Sequence, residues 1–155
     1  MNNKIIISII IVVTIAILLS IFISGPKNGN VIENYKQDDI GVAPASKVEV
    51  FLFHATQRCS TCIIIGQLAK ATIEERFPEQ LKAGKIDFRE INIDLPENKA
   101  LAEKFQAGGS SLFINAIVNG QDNIKQDTMV WQLTGGDGTN FKDYLYNKIN
   151  TLFGK

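Results

Sequence analysis

Val48-Glu49-Val50-Phe51-Leu52-Phe53-His54-Ala55-Thr56-Gln57-Arg58-Cys59-Ser60-Thr61-Cys62-Ile63 is the stretch on which the fold turns. Its first part becomes apolar on both faces toward its end, which is the pattern of a central strand covered on both sides. A short loop, Ala55 to Arg58, leads into the chain's only two cysteines, and a helical pattern opens at Ile63. Two cysteines three apart can close a small disulfide ring or chelate a metal together. At the first turn of a helix they also meet the positive end of the helix dipole, which stabilises a thiolate. Cys59 is expected at the tip with its sulfur toward solvent. Cys62 lies one turn in, on the stripe that continues through Ile65, Leu68, Ala69, Thr72 and Ile73, a spacing that marks a buried face. One sulfur is then reachable and the other shielded, as an attacking and a resolving thiol would be. A ring this small constrains the unfolded chain little, so a purely structural staple is the weaker reading.

Around this centre the chain divides into three parts. Residues 5–24 carry no charge and only Ser and Thr as polar residues. About 20 apolar residues at ~1.5 Å rise span a hydrocarbon layer of ~30 Å. A cleavable leader has a shorter apolar region and ends in small residues. Here Phe22 fits poorly before Ser24-Gly25, so residues 1–24 read as an uncleaved signal-anchor helix. Lys4 on one side, against Lys27, Glu33, Asp38 and Asp39 on the other, favours the amino terminus inside and the rest of the chain outside the cytoplasm. Residues 25–46, broken by Gly25-Pro26, Gly29, Gly41 and Pro44, read as a flexible stalk. Residues 47–155 read as one domain.

The 16 basic and 16 acidic side chains balance, and no basic block or stripe stands out, so nucleic acid is not an expected partner. Two cysteines in a CxxC do not make a disulfide-rich scaffold; they indicate redox or metal chemistry.

Within the domain, residues 47–54 are the first strand, and a helix from Cys59 to Arg76 is bent or restarted at Pro78. Residues 86–93 alternate as a second strand. Asp94 and Glu97 suggest a cap for a second helix that runs to about Gln106. Leu112–Val118 reads as a third strand, residues 119–123 as a turn and Asp127–Leu133 as a fourth strand containing Trp131 as a core residue. Asn140 is the expected cap of a final helix with Phe141, Leu145, Ile149 and Leu152 on one face. Strand, helix, strand, helix, hairpin, helix is an α/β order that gives a mixed sheet with helices on both faces. The Gly135–Gly138 loop lacks the strand-to-helix setting of a phosphate loop.

A CxxC at the strand-to-helix turn of a βαβ pattern resembles the thioredoxin-like superfamily. The resemblance covers residues 47–155. Within it, the run from Phe53 to Cys62 resembles the small bacterial thioredoxin-like group labelled "nitrophenyl compound nitroreductase subunit ArsF". The resemblance implies a thioredoxin fold, with Cys59 as nucleophile and Cys62 as resolving thiol, and no diffusible cofactor. Nothing in the sequence suggests a flavin or nicotinamide site. Three positions depart from thioredoxins. Arg58 replaces the usual aromatic residue before the first cysteine. Phe53 stands six residues before Cys59, where thioredoxins bury an acid. Gly108-Gly109-Ser110-Ser111-Leu112 lacks the cis-proline of their substrate groove, leaving Ser110 and Ser111 as expected groove residues.

The expected activity is thiol–disulfide exchange with an envelope or membrane thiol protein, tuned by Arg58, Ser60 and Thr61. Arg58 beside a helix-terminal cysteine would lower the thiol's pKa. His54, the only histidine, reads first as a packed strand residue; it could also serve a thiol as a base. The alternative is a soft-metal carrier that holds copper(I) through Cys59 and Cys62, with or without His54, since even all three fall short of the four ligands of a structural zinc site. A third reading is a non-catalytic subunit of a membrane complex. Ile63-Ile64-Ile65 places at least one isoleucine at the surface near Cys59, as an apolar rim for a partner.

Overall fold

A computed structural model describes residues 43–155. The apolar stretch at 5–24 and residues 25–42 of the expected stalk lie outside the described residues. Among the described residues no helix is long and apolar enough to cross a membrane. The strands are β1 (Lys47–His54), β2 (Ile86–Asn92), β3 (Ser111–Val118) and β4 (Gln121–Asp127). The helices are α1 (Ser60–Arg76), α2 (Pro78–Lys82), α3 (Lys99–Phe105) and α4 (Thr139–Leu152), with short 3-10 turns at Pro96–Asn98 and Met129–Leu133. Ala45 and Ser46 already belong to this body. Ala45 donates its amide to the Leu152 carbonyl and Ser46 donates to Ile117, both at 2.8 Å.

The sheet order is β2-β1-β3-β4. β1 pairs parallel with β2 and antiparallel with β3, and β3 pairs antiparallel with β4. The crossover through α1 is what a parallel β1–β2 pair requires. Strand alternation then sorts the side chains into two layers. Val48, Val50 and Leu52 pack with Ile65, Ala69, Ile73, Phe141, Leu145 and Ile149 on the face covered by α1 and α4. Phe51, Phe53, Ile91 and Phe113 pack with Ala102 and Phe105 on the opposite face, under α3. Burial on both faces is why β1 reads as a nearly continuous apolar run.

The second half of the hairpin differs from expectation. Asn119 and Gly120 both have positive φ, 53° and 77°, as a two-residue type I′ turn demands. Pairing therefore resumes at once, with Val118 opposite Gln121. The fourth strand is Gln121–Asp127, not Asp127–Leu133. It lies at the sheet edge and is mostly exposed and polar, as edge strands commonly are. The apolar run after it forms the 3-10 turn, where Val130 is buried and Trp131 packs half-buried at the margin of the core. Buried Asp127 fixes this corner. It accepts from the Met129 amide at 3.0 Å, from Tyr144 Oη at 3.0 Å and from Lys148 Nζ at 2.8 Å. Burial opposes the Lys148 charge, but the hydrogen bonds to Asp127 and Tyr144 outweigh it and raise the lysine's pKa.

The cap expected at Asp94 is also different. Leu95 precedes the 3-10 turn and no side chain caps it. Asp94 reaches instead across to the loop that carries the cysteines.

Candidate active site

β1 ends at His54, and the chain turns through Ala55 to Arg58 before α1 begins at Ser60. Cys59 is the N-cap residue of α1, with extended backbone, and its Sγ accepts from the Cys62 amide at 3.2 Å. The two cysteines are joined as a disulfide, with Cα atoms 5.2 Å apart. Cys59 is exposed and Cys62 is buried at 3% exposure. The disulfide thus presents one sulfur to solvent and keeps the other against the core. No acidic residue occupies the first turn of α1, so no carboxylate there offsets the dipole's preference for a thiolate.

Ser60 is exposed and Thr61 half-buried, within the ring. Arg58 bends back over the helix. Its Nη2 donates to the Cys62 carbonyl at 3.3 Å, and Nη1 forms an ion pair with Glu90 of β2. His54 is half-buried at the end of β1, with Nδ1 donating to the Ala55 carbonyl at 2.9 Å. Among the described residues no group of three His, Cys, Asp or Glu side chains is placed to hold a metal ion, so His54 does not join the two cysteines as a third ligand.

Ser111 begins β3 opposite Phe53, at the end of β1 from which the cysteine loop departs. It is buried, and its Oγ donates to the Gly109 carbonyl at 3.0 Å, while Ser110 is exposed. No cis peptide bond occurs among the described residues. Nothing lies within 4 Å of a Cβ built on Gly108 or Gly109, so the space beside this loop is open. Ile63 and Ile64 are 40% and 38% exposed, so two of the three consecutive isoleucines face solvent just after the disulfide.

Phe53 does not occupy the position beneath α1. Strand alternation turns it to the opposite face, against Phe105 and Phe113. The residue facing α1 there is Leu52, and its register partner on β2 is Glu90. Glu90 was missed in the sequence. The signal was a break in phase: Ile86 and Phe88 point to one face of β2, whereas Ile91 and Ile93 point to the other. Glu90 is in phase with the first pair.

The cysteine loop is anchored on the segment after β2. Asp94 Oδ2 accepts from the Thr56 amide at 2.7 Å, and Asn92 Nδ2 donates to Thr56 Oγ1 at 3.1 Å. The bond from the Thr56 amide is the main cause that holds the Asp94 carboxyl below its ordinary pKa. A carboxylate with a depressed folded-state pKa contributes stability above its unfolded value, about 3.9, and loses it as pH falls through the lower folded value. Asp94→Asn should therefore flatten the acid limb. Between pH 5 and pH 3 the urea midpoint of the variant is expected to fall less than that of the wild type.

Comparison with known proteins gives distant likenesses among solved structures. No family model matches the chain. No curated protein matches it either. Among solved structures it is similar to the Trx4 domain of ERdj5, at 13% identity and a TM-score of 0.45, covering 68% of this chain and 82% of that one. It is similar to an uncharacterized thioredoxin-like protein from Clostridium perfringens at 15% identity and a TM-score of 0.46, covering 79% of this chain and 90% of that one. A thioredoxin from Thermus thermophilus gives 14% and 0.40, covering 66% of this chain and 73% of that one. The architecture is thioredoxin-like on its own topology: a βαβ unit whose crossover helix starts at the CxxC, then a short helix, an antiparallel hairpin and a closing helix.

Proposed function

We propose that the chain is a thiol–disulfide oxidoreductase working through Cys59 and Cys62. The observation that carries this reading is the disulfide at the N-terminus of α1 with Cys59 exposed and Cys62 buried. In the reduced state the Cys59 thiolate attacks one sulfur of a partner disulfide. That bond breaks, the other partner sulfur leaves as a thiolate and takes a proton, and a mixed disulfide remains. The Cys62 thiolate then attacks Cys59 Sγ, and the second partner thiol is released. Two electrons pass from the dithiol to the partner, leaving Cys59–Cys62 oxidised. Run backwards, the same steps oxidise a partner dithiol. Turnover requires a second thiol protein as electron source or sink.

The apolar stretch at 5–24 supports a single-pass anchor with the domain on the extracytoplasmic side, where the partner is an envelope or membrane thiol protein. The similarity of the Phe53–Cys62 run to the ArsF-labelled group fits a bacterial setting. The exposed Ile63 and Ile64 beside the disulfide, and the open space at Gly108-Gly109, suit docking of that partner.

The test is a thiol count by alkylation and mass. The chain purified in air should carry two blocked cysteines that become free with dithiothreitol and stay blocked with chelator alone. Release by chelator alone would instead make the pair a metal carrier.

A further inference from the structure

An ion pair beside the disulfide takes no direct part in the exchange steps. Arg58 and Glu90 form an ion pair with side chains only 22% and 32% exposed. It lies against the first two turns of α1. The guanidinium donates to the Cys62 carbonyl at 3.3 Å. One turn later, a Cβ on Gly66 would stand 2.9 Å from Glu90 Oε1, 2.9 Å from Leu52 Cδ2 and 3.1 Å from Arg58 Nη2. The helix thus leaves out a side chain where the pair sits. Arg58 Nε is buried without a partner. The other titratable side chains of the surrounding loops are engaged elsewhere: His54 with the Ala55 carbonyl and Asp94 with the Thr56 amide.

Charges in this position act through a partly dry medium, so each weighs more than a freely solvated one. The cation favours a thiolate at the start of α1, and the anion disfavours it. Reduction adds two electrons and breaks the sulfur–sulfur bond. Whatever favours the thiolate stabilises the reduced form and makes the couple more oxidising. Resting on the oxidoreductase reading above, we infer that the Arg58–Glu90 pair sets the reduction equilibrium of the Cys59–Cys62 couple. Arg58 supplies the favourable charge. Glu90 is a positioning residue that holds the guanidinium on the Cys62 carbonyl and offsets part of its field.

The test compares full-length chains in detergent, equilibrated with glutathione redox buffers at one pH. Glu90→Gln keeps the shape of the side chain and leaves Arg58 unopposed. It should shift the equilibrium toward the dithiol by about tenfold, or ~30 mV for a two-electron couple. Arg58→Gln leaves the carboxylate unopposed and should shift it toward the disulfide by a similar factor. The double variant should lie within about threefold of wild type, since both charges are gone. A purely structural role predicts a different pattern, because both single variants break the same ion pair and would move the couple in the same direction. Shifts of the same sign, or none beyond twofold, in chains whose wild type titrates normally would overturn this inference alone. A wild type with no reversible transition would overturn the oxidoreductase reading and this inference with it.

Discussion

Replacing Cys59 by serine is expected to reduce thiol–disulfide exchange to the uncatalysed background, a loss of roughly 10³-fold or more, as removal of a covalent nucleophile produces. The expectation follows from asymmetry within the pair. Cys59 is exposed at the helix tip, whereas Cys62 is 3% exposed and cannot meet a partner sulfur directly. The two substitutions should therefore differ in kind. Cys62→Ser should retain attack but lose release, and a mixed disulfide between Cys59 and the partner should accumulate, visible on a non-reducing gel and dissolved by dithiothreitol. Equal loss in both variants with no trapped adduct would remove the assignment of roles. Unchanged function in both would make the CxxC a relic in a non-catalytic subunit.

Phe53→Ala is expected to cost about 3–5 kcal/mol, the range for deleting a buried aromatic ring. Phe53 is fully buried on the face away from α1. Its ring lies 5.3 Å from that of Phe105, 5.6 Å from Phe113 in an edge arrangement and 6.0 Å from Phe51. The cluster holds α3, which has 7 residues and is too short to persist by itself. Domains of this kind are stable by only ~5–15 kcal/mol, so the loss would leave this one marginal. Urea unfolding should show the fall in midpoint, and hydrogen exchange should show amides of α3 opening first. A change under about 1 kcal/mol would mean that the aromatic cluster is not what docks α3.

Much of this arrangement is legible in the sequence. The apolar run of β1 and the stripe on α1 are period-2 and period-3.6 patterns, which burial imposes directly on residue choice. Cys62, Ile65, Ala69, Thr72 and Ile73 are buried as that stripe implies, with Leu68 half-buried at its edge. Phe141, Leu145 and Ile149 likewise form the buried face of α4. What escaped was decided by tertiary context. The polar residues of β4 carry little strand signal because an edge strand need not be apolar, so the apolar residues at 129–133 drew the assignment instead. The helix-cap pattern of Asp94 and Glu97 was outcompeted by a partner distant in sequence, the Thr56 amide. Counting back from Cys59 to Phe53 fixed a distance along the chain but not a face of the sheet. Glu90 lies 31 residues beyond Cys59 (90 − 59), and only the parallel pairing of β1 with β2 brings it beside Arg58.

The exchange chemistry proposed for this site requires that Cys59 and Cys62 form one reversible two-electron couple. Equilibration of the full-length chain in detergent across a glutathione series, with acid quench, alkylation and mass readout, tests it most directly. A single transition is expected between a species with no free thiol and one with two, independent of chelator. It should be reached from both the oxidised and the reduced side. Two independent one-thiol steps with glutathione adducts at each cysteine, or thiols that never close into a disulfide, would contradict it.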